Sequence, residues 1–357
     1  MADYATFPRR RDDARDRGKL RGIGTANPIE RSASPSPDFA EIRFSTDGTA
    51  TILMGTKSQG QGHETVYKQI VGECLGLNPD RMRVIDGDTD RVAFGIGTMG
   101  SRSTVIGGSA LYYAAEKVIK KARTIAAHML EAAEADIVFK GGRFSVIGTD
   151  RAVLLTDVAK ASFHPSKLPH GVEPGLFETA TFSPDDDTYP NGSHVCEVEI
   201  DPQTGEVEVV GYWVVDDVGV MVNPVIVKGQ IHGGVAQGVG QALGEQVAYD
   251  PESGQLLTGS FMDYRMPRAS DFPSIEIKGN ERIADETIIM FSSLSVGDKI
   301  NENDLNEALK KLYYTDYFKQ VEIFLDNQIV TINVTENPII QNIKIEGIGR
   351  DSIYKKI

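Results

Sequence analysis

The chain has 357 residues, of which 40% are hydrophobic and 25% charged, a composition typical of folded protein with two or three domains. Its formal net charge of −14 argues against nucleic acid or an anionic membrane as the main partner, because both would repel it. The two cysteines, Cys74 and Cys196, form no CxxC pair, which favours buried thiols in a reducing compartment over a disulfide or a metal site.

The N-terminal segment, residues 1–19, is charged and lacks the apolar stretch of a signal peptide. No run along the chain approaches the ~18 apolar residues that a membrane span requires. The sequence therefore predicts a cytoplasmic protein without a membrane span.

The first donor-rich loop follows a predicted hairpin over residues 40–54, which turns at Asp47-Gly48. Gly60 and Gly62 then precede a predicted helix. A glycine loop that opens a helix can bind an anion, because unpaired N–H groups and the helix dipole point outward. A glycine turn before a solvated helix start is the alternative. The side chains that would add donors are Gln61, His63 and Thr65.

A second loop of this kind lies between a strand predicted at residues 83–85 and a helix predicted over residues 103–133. Gly95, Gly97 and Gly100 match the dinucleotide fingerprint in spacing, but a polar loop separates them from the strand, so we reject that interpretation. Arg102 is predicted to clamp a phosphate, because a guanidinium pairs with phosphate oxygens bidentately. Its neighbours in the loop are Ser101, Ser103 and Thr104.

The third element is a helix predicted from residue 223, after a hairpin that turns at residues 202–205. Each glycine inside a helix lowers its stability by ~1 kcal/mol relative to alanine. Such a cost indicates close ligand approach or, as the alternative, close helix packing. The glycines concerned are Gly229, Gly233, Gly238 and Gly240.

The last 80 residues predict a compact β-α-α-β-β pattern, with a first strand between Ile277 and Ile283. A helix over residues 284–294 is expected to turn Ile288 and Phe291 inward, and Asn301 is expected to cap the second helix. The second helix carries apolar residues at helical spacing: Leu305, Leu309 and Leu312. The last two strands are joined by a turn at Asp326-Asn327. Their apolar residues alternate with polar ones and are Val321, Ile323 and Leu325 in the first strand and Val330, Ile332 and Val334 in the second.

Composition changes near Ile277: four asparagines precede it and eight follow it, while only four of the 36 glycines follow it. We hypothesise that genomes of different base composition shaped the two regions, so that the chain is a chimera. An ordinary boundary between two domains of one gene is the alternative.

Several motifs in the first region resemble the xanthine dehydrogenase/aldehyde oxidase family, and most closely the large subunits of the carbon-monoxide-dehydrogenase type. They are GKLRGIG, SQGQGHETVYKQI, DGDTD, GTMGSRS, YPNGSHVCEVEIDPQTGEVEV, NPVIVKGQIHGGVAQGVGQAL and FMDYRMPRASDFPSIE, within residues 5–277. The resemblance implies a molybdopterin cofactor, often the cytosine dinucleotide with molybdenum, which hydroxylates a carbon with oxygen from water. It also implies iron–sulfur and flavin partner subunits.

Carried over by motif, the resemblance implies that three groups of residues contact the cofactor and orient it, while the cofactor carries the chemistry. They are Gln61, Gly62, His63 and Thr65; Ser101, Arg102 and Ser103; and Gln230, Gly233, Gly234 and Gln237. The family's general-base glutamate lies in a Lys-Gly-Val-Gly-Glu-Ala-Gly segment, whereas Lys278-Gly279-Asn280-Glu281 stands here. The chain alone is therefore expected to lack hydroxylase turnover, and no catalytic residue is assigned.

The second region resembles the first POTRA domain of the outer-membrane protein assembly factor BamA, through GNERIADETI, LYYTDYF, VTENPII and IQNIKIEG. That family adds extended client strands to a sheet edge, where backbone hydrogen bonds supply affinity. The alternatives to an enzyme fragment are therefore a protein-binding module and a fusion without a selected function.

The expected fold is α+β throughout. The predicted divisions are an N-terminal extension (1–20), a molybdopterin-binding fragment (21–277), a POTRA domain (278–338) and the start of a second, truncated repeat (339–357). The sequence has no HExxH, G-x-S-x-G or metal-spaced histidine pair, so no metal site made by the protein is predicted.

Overall fold

The structure, a computed structural model, describes residues 2–268, 271–272, 275–278, 285–294, 302–315, 317–326 and 329–336. The chain divides into two compact units, each discontinuous in sequence. Unit 1 comprises residues 1–26, 194–214 and 259–357, and unit 2 comprises residues 27–193 and 215–258. The sequence predicts continuous domains instead, and those boundaries stay a prediction.

Unit 2 is built around a four-stranded sheet in the order β4-β3-β2-β8. Its strands are β2 (Asp38–Phe44), β3 (Ala50–Met54), β4 (Met82–Asp86) and β8 (Phe177–Phe182). Strands β3 and β4 are parallel, and the other pairs are antiparallel. The predicted β2–β3 hairpin is confirmed: Gly48 takes a left-handed φ of +78°, and Asp47 Oδ1 accepts hydrogen bonds from the Thr49 N–H and hydroxyl.

Helices α2 (His63–Leu75) and α3 (Gly108–Met129) cover this sheet, with α3 packing against β2 and β8. A π-helical turn, Ser103–Gly107, precedes α3. Glu131, with a left-handed φ of +48°, follows the end of α3. The helix predicted over residues 103–133 is therefore confirmed, but it ends a few residues earlier than predicted. Alanines on the buried face of α3 let the helix approach the sheet closely. Its fully buried residues include Ala110, Leu111, Ala114, Ala115, Val118, Ala122 and Ile125.

The remaining elements of unit 2 are a small antiparallel sheet and two helices. The sheet has the order β5-β6-β7, with β5 (Ile137–Lys140), β6 (Arg143–Val146) and β7 (Ala152–Leu154), and the helices are α4 (Leu155–Ala161) and α5 (Pro224–Leu243). The glycine-rich helix predicted from residue 223 is thus confirmed.

Unit 1 contains helix α1 (Phe7–Asp16), strand β1 (Leu20–Ala26) and most of β9 (Asn191–Ile200) and β10 (Val207–Asp217). The three strands form a sheet in the order β1-β9-β10. The predicted hairpin between β9 and β10 is confirmed, since the Gly205 N–H donates to the Asp201 carbonyl at 2.7 Å. Glu197 on β9 is fully buried, and its carboxylate is neutralised by Arg10 and Arg21.

Unit 1 also contains the elements of the second region: β11 (Ile275–Lys278), α6 (Asp285–Ser292), α7 (Glu302–Tyr313), β12 (Phe318–Asp326) and β13 (Ile329–Glu336). They confirm the β-α-α-β-β order, and β13 lies between antiparallel β12 and parallel β11. Of the two residues predicted to face inward from α6, Ile288 is fully buried and Phe291 is partly buried. Leu312 and Ile332 are also fully buried in this core, whereas Leu325 on β12 is 46% exposed. The predictions that involve Ile283, Asn301, Asn327 and residues 339–357 lie outside the described residues.

The helices in the described ranges include none with the length and apolarity to cross a membrane.

Candidate functional site

The first predicted loop, residues 55–62, joins β3 to α2 and is held at its base by hydrogen bonds. Gly60 and Gly62 have left-handed φ values of +101° and +83°. A Cβ added at Gly60 would meet no atom of the described residues within 4 Å, so the tip of the loop is open among them. Three of its N–H groups donate to fixed acceptors: Gly55 to the Phe39 carbonyl at 2.8 Å, Lys57 to Thr98 Oγ1 at 3.0 Å and Ser58 to Asp86 Oδ2 at 2.6 Å.

Two glycines bring the first loop against the second, residues 87–102. A Cβ added at Gly55 would lie 2.0 Å from Asp38 Oδ1, and one added at Gly95 would lie 2.1 Å from the Gly55 carbonyl oxygen. No side chain fits at either position. This backbone contact explains why glycine stands at both.

His63 begins α2 and is buried, with 6% of its surface exposed. Within the described part of the chain its Nδ1 has no hydrogen-bond partner. Burial lowers the pKa of His63, assisted by Lys57 and opposed by Asp86, so the imidazole is neutral at pH 7. A neutral ring with one unpaired nitrogen at a helix N-terminus can still accept or donate one hydrogen bond to a ligand.

The other predicted residues of this loop differ in exposure. Gln61 is half-buried, and its Oε1 accepts a hydrogen bond from the Gln59 N–H at 2.6 Å. Thr65 is exposed on the first turn of α2.

Arg102 is placed differently from the phosphate clamp that the sequence predicted. Its guanidinium is 3% exposed and forms an ion pair with the fully buried Asp38. Nη1 also donates to the Gly97 carbonyl at 2.9 Å, while Nη2 donates to the carbonyls of Ser36 and Pro37 at 3.3 and 3.2 Å. All four Nη hydrogens are therefore used within the protein, and only the buried Nε has no partner in the described ranges.

The two serines beside Arg102 face different surroundings. Ser101 is exposed with a left-handed φ of +52°, and its hydroxyl lies 3.4 Å from Glu30 Oε1. Ser103 is buried, with its Oγ 3.1 Å from Thr98 Oγ1. Ser101 is thus exposed, whereas Ser103 is buried and in contact with Thr98.

Tyr67 contacts residues of both loops from the buried side of α2. This role of Tyr67 was not predicted from the sequence. Tyr67 is fully buried, its hydroxyl lies 2.7 Å from Thr56 Oγ1, and it donates to the Ser103 carbonyl at 3.5 Å. Burial raises the pKa of Tyr67 to about 12, so it stays a donor at any ordinary pH. Its position one turn after His63 could have indicated this role, because residues i and i+4 share a helix face.

The third predicted element, α5, begins beside the first loop. Asn223 caps the helix by accepting from the Ile226 N–H at 2.9 Å, and its Nδ2 donates to Gln69 Oε1 on α2 at 2.8 Å. A Cβ added at Gly62 would lie 2.8 Å from Ile226 Cδ1. The start of α5 is therefore packed against the start of α2.

The glycine face of α5 is open. A Cβ added at Gly229, Gly233, Gly234 or Gly238 would meet no described atom within 4 Å, so close packing does not explain these four glycines, whereas Gly240 is buried, as the alternative explanation expects. The predicted contact residues on this face are all exposed: Gln230, Gly233, Gly234 and Gln237.

Unit 2 therefore brings the two loops and the first turn of α5 together around the N-terminal end of α2, whereas Gln237 lies roughly 17 Å further along α5 than Ile226. They offer backbone N–H groups, hydroxyls, amides and one neutral imidazole, a set suited to holding a large polar ligand with anionic groups. Across the described ranges, no three histidine, cysteine or carboxylate side chains are arranged to hold a metal ion directly.

Comparison with protein families identifies two matches. The family described as a molybdopterin cofactor-binding domain matches residues 1–273, and a surface antigen variable number repeat, the POTRA family, matches residues 271–337.

Individual relatives resemble the first region. The nicotine 6-hydroxylase large subunit of Paenarthrobacter nicotinovorans is 41% identical over 292 residues, which cover 78% of this chain and 36% of the relative. The carbon monoxide dehydrogenase large chain of Hydrogenophaga pseudoflava is 43% identical over 240 residues, 67% of this chain and 30% of the relative. This chain thus spans about a third of their length.

Solved structures show the same likeness. Quinoline 2-oxidoreductase from Pseudomonas putida 86 matches with a TM-score of 0.70 at 35% identity, over 80% of this chain and 38% of that one. A Cu,Mo-CO dehydrogenase matches with a TM-score of 0.68 at 38% identity, over 76% of this chain and 36% of that one. The fold is that of a molybdenum-hydroxylase-type fragment, and the chain belongs to the molybdopterin cofactor-binding domain family.

Proposed function

We propose that unit 2 holds a molybdopterin-type cofactor across its three glycine loops, as part of a molybdenum hydroxylase. The observation that carries this proposal is the convergence of the two loops and the first turn of α5 on the start of α2. The residues proposed to contact the cofactor are Gln61, Gly62, His63, Thr65, Ser101, Arg102, Ser103, Gln230, Gly233, Gly234 and Gln237.

The donor set of the loops fits such a cofactor. A pterin needs in-plane hydrogen-bond partners, and a phosphate needs N–H donors, preferably at a helix N-terminus. His63 Nδ1 and Arg102 Nε are buried atoms without partners in the described structure, as expected for groups that a ligand completes. Arg102 would act mainly by fixing the second loop, with Nε as its remaining donor.

The cofactor, when bound, supplies the redox chemistry of hydroxylation, while the residues of this chain hold and orient it. The segment after β11 lacks the glutamate that the family resemblance implies as general base. A positioned base contributes about 10²–10⁴-fold to rate, so we propose that this chain alone has no hydroxylase turnover. Iron–sulfur and flavin subunits are the proposed electron-transfer partners, and the cytosine dinucleotide is the proposed cofactor form.

Cofactor content of the full chain tests the proposal. The protein would be purified from a molybdopterin-producing host, and molybdenum, oxidised pterin and acid-released cytidine monophosphate would be measured per chain. We expect all three in near-equal amounts, and a large loss in His63→Ala but not in the exposed-histidine control His128→Ala. Protein that folds but contains no pterin would overturn the proposal.

A second candidate function rests on the β11-β13-β12 sheet and its two helices, together with the match to the POTRA family. We propose that this segment is a POTRA-type module, similar to that of BamA, that adds an extended client strand to its sheet. An extended peptide should then shift amide NMR signals along an edge strand, β11 or β12. Shifts scattered over the helices would contradict strand addition.

The abrupt change of composition and family near residue 277 supports a third proposal, that the chain is a chimera of two genes without a selected joint function. Single long sequencing reads across the codons for residues 260–295 test it. If no molecule spans the junction, each region belongs to a separate parent protein.

A further inference from the structure

Unit 2 contains a cleft of about 690 Å³ that the proposed cofactor site does not use. It lies between the exposed face of α3, strand β5 and strand β8. Its lining begins at Tyr113 and reaches Arg123 along α3. A helix rises about 1.5 Å per residue, so Lys120 lies roughly 18 Å along α3 from Gly108, where the helix begins beside the second loop. None of the residues that line the cleft belongs to the two loops or to α5, so the cleft is distinct from the proposed cofactor site.

The cleft carries unusual charge for this chain. Three basic side chains, Lys117, Lys120 and Arg123, line it with two acidic ones, Glu116 and Glu134, whereas the whole chain has a net charge of −14. The local excess of positive charge favours an anionic ligand.

Two of the charged groups are already engaged by the protein. Lys117 Nζ donates to the Thr179 carbonyl at 2.8 Å, and Glu134 Oε2 accepts from the Thr124 hydroxyl at 3.1 Å. By contrast, Arg123 Nε is buried and has no hydrogen-bond partner among the described residues. A buried guanidinium N–H without a partner costs free energy, so the protein leaves part of this cleft-lining guanidinium unsatisfied.

Aromatic rings complete the lining. Tyr113 is 48% exposed and packs against Phe182 with ring centroids 5.8 Å apart. Phe139 packs against the buried Phe144 at 4.6 Å. Each of the two rings packs against another aromatic ring of the protein and keeps a surface against which a flat ligand could pack.

We propose that this cleft binds a small planar aromatic anion, whose carboxylate or phosphate pairs with Arg123 and Lys120 and whose ring packs against Tyr113 and Phe139. A guanidinium recognises such anions bidentately, and an aromatic wall selects a flat ring over a saturated one. The site is independent of the cofactor loops and of any reaction there.

The test is a titration of the full chain with benzoate, followed by ligand-observed NMR. We expect saturable binding that weakens about tenfold in Arg123→Gln, since this substitution removes a charge-assisted hydrogen bond. Lys121→Gln is the matched control, because Lys121 is the neighbouring α3 cation but lies over Phe177, 5.1 Å from its ring centre, outside the cleft. Tyr113→Leu should weaken benzoate while leaving the melting temperature within a degree or two of wild type.

Two further ligands separate the contributions. Cyclohexanecarboxylate keeps the charge without the aromatic ring, and benzyl alcohol keeps the ring without the charge, so both should bind more weakly than benzoate. Absent benzoate binding, equal effects of Arg123→Gln and Lys121→Gln, or equal affinity for cyclohexanecarboxylate would overturn the proposal.

Discussion

The two regions on either side of residue 277 use glycine in different ways. Only four of the 36 glycines follow Ile277, and the first region places many of the others in left-handed turns or open helix faces. The described part of the second region is instead a short sheet and two helices closed over one apolar core. Open glycines leave room for a ligand to approach the backbone closely, whereas the described part of the second region packs its apolar side chains against one another.

The comparison also shows how the first region keeps such loops in place. Beneath the open tips lie a buried ion pair, Asp38–Arg102, and a buried hydroxyl network around Tyr67. The loops are therefore rigid at the base and open at the tip, a preorganised arrangement that lowers the entropic cost of binding.

The largest expected effect comes from breaking the buried ion pair. Asp38→Ala leaves the Arg102 guanidinium buried without its counterion, and we expect a loss of about 3–5 kcal/mol in the free energy of unfolding. Urea denaturation measures it. Asp157→Ala, which breaks the half-exposed pair with Lys160, is the control and should cost less than about 1 kcal/mol. Equal losses would show that Asp38 does not hold the loops.

A substitution in the apolar core of the second region should change the stability of that region and leave cofactor binding by the first region unchanged. Ile332→Ala removes a fully buried side chain from β13 and should destabilise that region by about 3 kcal/mol. Hydrogen exchange of β12 and β13 measures the effect, with the half-exposed Phe324→Ala as control. Cofactor content should stay unchanged, and a parallel loss of cofactor would break the distinction between the two regions.

Replacing Gly62 should reduce stability and cofactor binding by more than its left-handed backbone angle alone would cause. Gly62→Ala combines a left-handed φ, which costs about 1–2 kcal/mol, with a contact against Ile226. Gly205→Ala is a matched control, since its φ of +76° is similar and its added Cβ meets no atom within 4 Å. We expect Gly62→Ala to lose more stability and more cofactor than Gly205→Ala; equal behaviour would exclude a role for the loop–helix contact.

The smallest expected effect is the pH dependence of His63. Burial holds its folded pKa below the ordinary value of 6.5, so the unfolded chain binds more protons as the pH falls below 6.5. Its contribution to stability is therefore present above pH 6.5 and is lost on acidification towards the folded pKa. Unfolding free energies at several pH values should show this slope in wild type and in His128→Gln, and a weaker slope in His63→Gln.

Much of the fold could be predicted from local patterns. The turn at Asp47-Gly48, the α3 helix and the alternating strands β12 and β13 follow directly from turn chemistry and periodicity. The order β4-β3-β2-β8 could not be predicted, because β8 joins the sheet from nearly a hundred residues further along the chain than β4.

The three loops of the site could be predicted from the sequence, but the buried side chains that hold the loops in place could not. Glycine and polar side chains mark the three loops in the sequence. Nothing local to Arg102 indicates that Asp38, 64 residues earlier, takes up its guanidinium. For the same reason the sequence predicted a phosphate clamp where the structure has an internal ion pair.

Hydrogen–deuterium exchange on the full chain, with and without bound cofactor, measures directly whether the glycine loops bind the cofactor. Binding across three glycine loops of one region predicts added protection at residues 57–63, 97–103 and 223–237, with no change at residues 285–294 and 317–336. Unchanged exchange in the three loops when the cofactor is bound, or protection confined to the second region, would contradict the account.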